Sequence, residues 1–317
     1  MTNHRLNRRQ ILKRAGTVGV LGAGGLSSSA HAKPSSSDSN GPIRARGTIQ
    51  WRYEHTPDTL TVEEWYVSPD LKEHYGTPRV LFNRTEYNRN QFPQEVDDSL
   101  QQRGTHVATS KLDRLVGTES EWEAYIEAER ESSSGDVGTA NHSDYQGPVW
   151  QYEKSDGLYS RTAPINLVWE TENTHNLGDV VSKLTEGDFH GLGSCAQTKY
   201  IYDSSDNGFV SQDDQVGTQD YCGDAQDHVR LWRDRGSFGA YYGQFEIGSI
   251  HHDPAGHNYG CCCDNFQFEE PEGRMKDYWR NNSNASYVGS IDLDNAETWG
   301  DCKDPNDDWA GYIEWNS

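Results

Sequence analysis

Lysine is scarce in this chain. Of the 28 basic residues nine are Lys and 19 are Arg, against 50 Asp and Glu in 317 residues, for a formal charge of -22. That balance excludes a chain-wide basic footprint, so no nucleic acid is expected as partner. Large aliphatic side chains are also few: Leu, Ile and Val number 44, and 52 with Phe. No apolar run reaches the ~20 residues of a membrane-spanning helix, so no transmembrane anchor is expected. Absent too are the G-x-S-x-G elbow, the phosphate-binding P-loop and the H-E-x-x-H zinc helix. What remains abundant is the aromatic set. Trp 10, Tyr 17 and Phe 8 can each bury ~150–250 Å². A charged chain this poor in aliphatics would otherwise be expected to stay unfolded. The expectation is a ring-rich core inside an acidic shell.

The first 32 residues have a different composition. Arg5, Arg8, Arg9, Lys13 and Arg14 precede a weakly apolar stretch from Ala15 to Leu26, and Ala30-His31-Ala32 gives an A-x-A cleavage pattern. This is the three-part layout of an export signal. Asn7-Arg8-Arg9-Gln10-Ile11-Leu12-Lys13 resembles the twin-arginine form, whose partner is the twin-arginine translocase. A secreted or cell-surface location follows from that reading. Without these residues 23 basic groups face 50 acids, a charge of -27. Such an excess, with so little Lys, resembles proteins of halophilic archaea. Molar salt shortens the screening length to roughly 3 Å, which suppresses the self-repulsion of an acidic surface. A binding face for cations or for a basic partner is the rival explanation, but the acids run along the whole chain.

Residues 33–47 read as a flexible Ser/Gly/Pro-rich leader, 48–143 as a smaller N-terminal α+β region and 144–317 as a second α+β domain. Ile49, Trp51 and Tyr53 alternate with polar residues ahead of a Pro-Asp turn, which suggests a hairpin up to Ser68. Thr118-Glu119-Ser120-Glu121 is a capping box opening a helix to about Arg130. Residues 70–115 give no clear reading. Further on come a strand at Ile165–Trp169, a helix at Leu177–Leu184, strands at His228–Trp232 and Gln244–Ile250, a helix from Glu269 to Trp279 and a strand at Trp309–Trp315. The order β-α-β-β-α-β predicts a split βαβ, ferredoxin-like sandwich with helices on one face of a mostly antiparallel sheet.

Three of these segments carry a family resemblance. Pro164-Ile165-Asn166-Leu167, then His228-Val229-Arg230-Leu231-Trp232, then Gly248-Ser249-Ile250-His251-His252-Asp253 are similar to landmarks of LssY C-terminal-like domains, over about residues 160–285. His257 and the acidic run Glu269-Glu270-Pro271-Glu272 fall where that family has a His and an acidic helix start. The insertion from Asp203 to Asp227 and the triple Cys depart from it. The resemblance implies a domain and no catalytic roles.

Five sets of residues could carry chemistry. His251, His252, His257, Cys261, Cys262 and Cys263 suit zinc or copper, although their spacing matches no common ligand pair. On a strand His251 and His252 face opposite sides, so one site takes only one of them readily. His228, Asp253 and His257 are the acid–base candidates; the bland alternative for His228 is a plain sheet residue. Asp203, Ser205, Asn207, Phe209, Ser211 and Asp214 follow the ligand order of a calcium-binding EF-hand loop, yet the flanks look strand-like and an acidic solvated loop is the simpler reading. Asn83, Asn141, Asn281 and Asn284 fit the N-glycosylation pattern. The six cysteines of an exported chain suggest disulfides. Neighbouring Cys rarely pair, so Cys195, Cys222 and Cys302 would each reach one of Cys261, Cys262 and Cys263; a thiolate metal site or free thiols are the alternatives. The leading expectation is a disulfide-stapled binding or cell-surface module. A metal-dependent hydrolase built on the cluster at 251–264 and a calcium-stabilised structural module stand beside it.

Intact mass tests the address and the staples together. The exported protein is expected to begin at Lys33. Unfolded with chelator but no reductant and then alkylated, it is expected to carry no label; six labels would mean six free thiols.

Overall fold

The computed structural model describes residues 41–91, 98, 101–102, 104–133, 145–172, 174–192, 198–219, 225–253, 267–282, 284–295 and 307–315. The fold is α+β and mostly sheet. A hairpin opens it: β1 (Ile43–His55) and β2 (Thr59–Val67) turn at Thr56-Pro57-Asp58 and pair antiparallel. β1 begins inside the stretch read as leader, because Ile43 to Gly47 pair with Val116 to Leu112. Helix α1 (Pro69–Tyr75) is capped by Ser68, whose hydroxyl accepts from the Asp70 N–H. Strands β3 (Arg79–Asn88) and β4 (His106–Thr118) follow. Helix α2 (Glu119–Ser133) starts at the expected capping box: the Thr118 N–H donates to Glu121 at 2.7 Å and the Glu121 N–H returns to the Thr118 hydroxyl at 3.4 Å.

β5 (Trp150–Ser155) and β6 (Leu158–Pro164) turn at Asp156-Gly157, both with positive φ, the conformation of a tight two-residue hairpin. They lie beyond residue 143, yet β6 pairs with β4. With β9 (Tyr200–Asp203) and β10 (Gly208–Ser211) they complete one antiparallel sheet of eight strands, in the order β10-β9-β5-β6-β4-β1-β2-β3. The described residues fall in one compact unit.

The second sheet is built from β7 (Leu167–Glu170), β8 (His190–Gly191), β11 (Asp214–Gly217), β12 (Gln226–Arg233), β13 (Phe245–Asp253), β14 (Ala285–Asp292) and β15 (Trp309–Trp315). Its order is β14-β15-β7-β13-β12-β11-β8. Helices α3 (Leu177–Glu186) and α4 (Glu269–Arg280) join these strands. The split βαβ is present, since β13 lies between β7 and β12 and pairs antiparallel with both. Two features depart from the ferredoxin-like plan: β11 and β8 extend the sheet beyond β12, and β15 is reversed. β14 forms an extra hairpin with β15, so β15 runs parallel to β7 instead of antiparallel.

Both helices sit on one face of this sheet. Val180 and Leu184 of α3 and Met275 and Trp279 of α4 bury against Trp169, Val229, Leu231, Ile250 and Ile313. Gly248 has no side chain because the Trp169 ring occupies the space: a Cβ there would stand 2.9 Å from it. The opposite face meets the first sheet. Val168, Trp232, Phe245 and Ile247 cluster with Ile201 of β9, and Gln151 of β5 donates to the Ser249 hydroxyl at 2.9 Å.

The chain crosses from one sheet to the other at Ile165-Asn166, and Asn166 is fully buried. Its side-chain amide donates to the Ile250 carbonyl at 2.9 Å and accepts from the Ile250 N–H at 2.8 Å. Its backbone N–H donates to Gly248, and its carbonyl accepts from Gly311 of β15. Asn166→Ala leaves both backbone groups of Ile250 buried without that partner. The expected loss is about 2–4 kcal/mol, read from the denaturant midpoint followed by Trp fluorescence.

Candidate metal centre

β12 and β13 are hydrogen-bonded neighbours in which His228 stands opposite His251 and Asp227 opposite His252. Side chains alternate along a strand. His228, Arg230 and Trp232 of β12, with Ser249, His251 and Asp253 of β13, therefore point between the two sheets. Asp227 and His252 point to the helix side. This places the sequence candidates on two faces, and the expected separation of His251 from His252 is what the strand imposes.

Between the sheets, His228, His251 and Asp253 converge, with one ligand-type atom of each within 4.8 Å of the others. His228 Nδ1 lies 3.5 Å from Asp253 Oδ2, and His251 Nε2 lies 3.3 Å from Asp253 Oδ1. The ring centroids are 5.1 Å apart. A tetrahedral ion with bonds of ~2.1 Å holds its ligand atoms about 3.4 Å apart. Both imidazoles are buried. Burial pushes the His251 pKa down to about 3, against the upward pull of Asp253. Burial also lowers that of His228, helped by the Arg230 charge and opposed by Asp253. At neutral pH both rings are thus uncharged, the form that binds a metal. His228 Nε2 is buried with no hydrogen-bond partner among the described residues.

A charged seam continues from the trio. Arg230 Nη1 is 3.4 Å from His251 Nε2. Burial brings the guanidinium pKa down to about 10, while Asp253 and then Glu153 hold it up. Glu153 of β5 accepts from Lys199 Nζ at 2.9 Å and from the Tyr66 hydroxyl of β2. Its carboxyl stays below the usual range: burial raises it, but Lys199 and Tyr66 outweigh burial. Sequence reading missed Arg230, Glu153 and Lys199 as members of this site. The alternation His228-Val229-Arg230 carried a signal for the first; the other two come from distant strands and carried none.

On the helix side, Asp227 accepts from Arg274 of α4 at 2.5 and 2.6 Å, and His252 Nδ1 is 2.8 Å from Asp227 Oδ1. Burial raises the Asp227 pKa, but the bonds to Arg274 and His252 outweigh it and leave it low. His252 belongs to this clamp between β13 and α4.

The EF-hand-like residues fall on two sheets. Asp203, Ser205, Asn207, Phe209 and Ser211 form the β9–β10 hairpin, and Asp214 opens β11. Asp203 Oδ1 accepts from the Ser205 N–H and hydroxyl and from the Ser237 hydroxyl, while the Phe209 ring stacks 3.7 Å from Tyr159. Asn281 ends α4 with its side chain donating to the Asp277 carbonyl, Asn284 is exposed, and Asn83 on β3 accepts from Thr85. His257, Asn141, Cys195, Cys222, Cys261, Cys262, Cys263 and Cys302 lie outside the described residues. Glu269, Glu272 and Asp307 make a second acidic group near the start of α4, where Lys276 Nζ reaches Glu272 at 2.5 Å.

Compared with known proteins, the chain matches no family model, no curated protein and no solved structure.

One buried acid of β13 has a measurable pH signature. Glu246 faces the start of α3, and its Oε2 has no hydrogen-bond partner among the described residues. Burial pushes its pKa up to about 8, with the N–H groups of Asp234 and Leu177 holding it partly back. Between about 4.5 and 8 the folded state keeps a proton that the unfolded state releases, so stability falls as pH rises through that window and then levels. Glu246→Gln is expected to flatten this decline. The gain should be on the order of 2–4 kcal/mol at pH 8 and near zero at pH 4, measured by denaturant titration.

Proposed function

We propose that this is an exported, salt-adapted protein, carried out by the twin-arginine translocase. Its C-terminal module, of LssY C-terminal-like type, is a binding module organised around a divalent-metal centre of zinc class. The convergence of His228, His251 and Asp253 is the observation that carries the reading. Two neutral imidazoles and one carboxylate suit zinc and its neighbours better than calcium, which takes six to eight oxygen ligands. The N-terminal charge pattern supports export, and the acid excess supports a saline setting.

A hydrolytic use is the second reading, favoured by the count of ligands. Three protein ligands leave a tetrahedral ion one open position, as in catalytic zinc sites, whereas structural sites are closed by a fourth. There the ion would lower the pKa of a bound water, with His228 and His251 serving as ligands.

Cobalt titration tests the centre. The protein, held in molar salt with its thiols blocked, is expected to bind one Co²⁺ with the visible bands of a tetrahedral site, displaced by Zn²⁺. His228→Ala, His251→Ala and Asp253→Ala should each weaken binding by at least tenfold. His252→Ala should leave it within about twofold, since that ring faces the helices. Absence of binding by the unaltered protein refutes the centre.

A further inference from the structure

Arg230 sits where a metal site would not be expected to tolerate it. Its Nη1 is 3.4 Å from His251 Nε2, the nitrogen that also faces Asp253 Oδ1 at 3.3 Å. One ring nitrogen cannot serve both neighbours. Carrying a hydrogen, it donates to Asp253 and leaves the guanidinium N–H facing another donor instead of an acceptor. Carrying a lone pair, it accepts from Arg230 and turns the lone pair on the carboxylate. In either tautomer one contact is repulsive, and the guanidinium stays charged throughout.

We propose that Arg230 is the built-in counter-cation of the centre. A divalent ion entering among His228, His251 and Asp253 exchanges with it, and the guanidinium transfers its charge from Asp253 to Glu153. The inference rests on the metal reading above and concerns its regulation. An ion that takes the lone pair of Nε2 and one oxygen of Asp253 removes the conflict at that nitrogen. It also sets two cations side by side in a buried place, where repulsion is weakly screened. The arginine must then turn away from Asp253. After Asp253, Glu153 is the other carboxylate acting on its charge. Glu153 is built to receive it: one oxygen takes Lys199, the other takes the Tyr66 hydroxyl, and each carboxylate oxygen accepts more than one donor. Glu153 is on β5 of the first sheet and Asp253 on β13 of the second, so the exchange moves the balancing of the arginine's charge from a carboxylate of its own sheet to one across the interface. Affinity for the metal is thereby set by a residue that never touches it.

A double-mutant cycle on Co²⁺ affinity, with the full chain in molar salt, tests the exchange. Arg230→Met removes the competing cation and is expected to tighten binding by tenfold or more. Glu153→Gln removes the receiving charge and should weaken binding about tenfold when Arg230 is present, with no effect in the Arg230→Met background. If Arg230→Met fails to fold, Arg230→Gln, which keeps a donor towards His251, serves the same comparison. Unchanged or weaker binding in either Arg230 variant overturns the exchange. So does a Glu153→Gln effect of equal size in both backgrounds. Lack of Co²⁺ binding by the unaltered protein overturns the metal centre itself, a result separable from tight binding with an inert Arg230.

Discussion

Everything proposed for this protein depends on where β13 lies, and Asn166 holds it there. The residue stands at the point where the chain leaves the first sheet for the second. Its amide closes both backbone groups of Ile250, while its own backbone joins Gly248 on β13 and Gly311 on β15. Asn295 reinforces the crossing by donating to the carbonyls of Val149 and Ile165. Three strands from distant parts of the chain therefore share one buried junction. His251 and Asp253 follow Ile250 on the same strand, so the junction also fixes how far they reach toward His228. A displacement of one residue would exchange His251 for His252 between the two faces.

That parity explains how much of the site could be read from sequence. Strand alternation separates His251 from His252 without any structure, and the two rings do lie on opposite faces of β13. The match of His228 to His251 could not be read in the same way. It depends on the register between β12 and β13, set by the eleven-residue connection from Asp234 to Gln244. The Asp234 side chain organises its first turn by accepting from the N–H groups of Gly236, Ser237 and Phe238. Nothing in the local spacing states that register.

The fold was legible where patterns were local. Capping at Thr118, the acids opening α4 and the aromatic strands of the second sheet all mark elements that form. The Asp156-Gly157 turn was an available signal for β5 and β6 that composition obscured. β3 and β4 were hidden for another reason. Along β4 the outward positions include Val107, which is 59% exposed, and the buried ones begin only at Leu112. Period-two alternation fails when a long strand is half free of the core. The β14–β15 hairpin hides the reversal of β15 likewise, since direction in a sheet is a property of connections and not of the strand's own residues.

Charge is handled in two different ways in this chain, and the contrast bears on the site. Most acids are spread along the sequence and act through solvent, where molar salt shortens their reach to roughly 3 Å. Glu153, Lys199, Arg230 and Asp253 instead lie largely enclosed between two sheets, where salt screens them weakly. In the saline setting proposed for this protein, an exposed metal site would compete with concentrated cations for its carboxylate. In the proposed exchange, the field of the nearby guanidinium already offsets the Asp253 charge, so a monovalent ion would bring no more charge than Arg230 supplies. Only an ion that also takes the imidazole lone pairs gains by the exchange. In the proposed exchange, the buried arginine would make the centre selective for nitrogen-seeking divalent metals over sodium and potassium, by charge and ligand chemistry together.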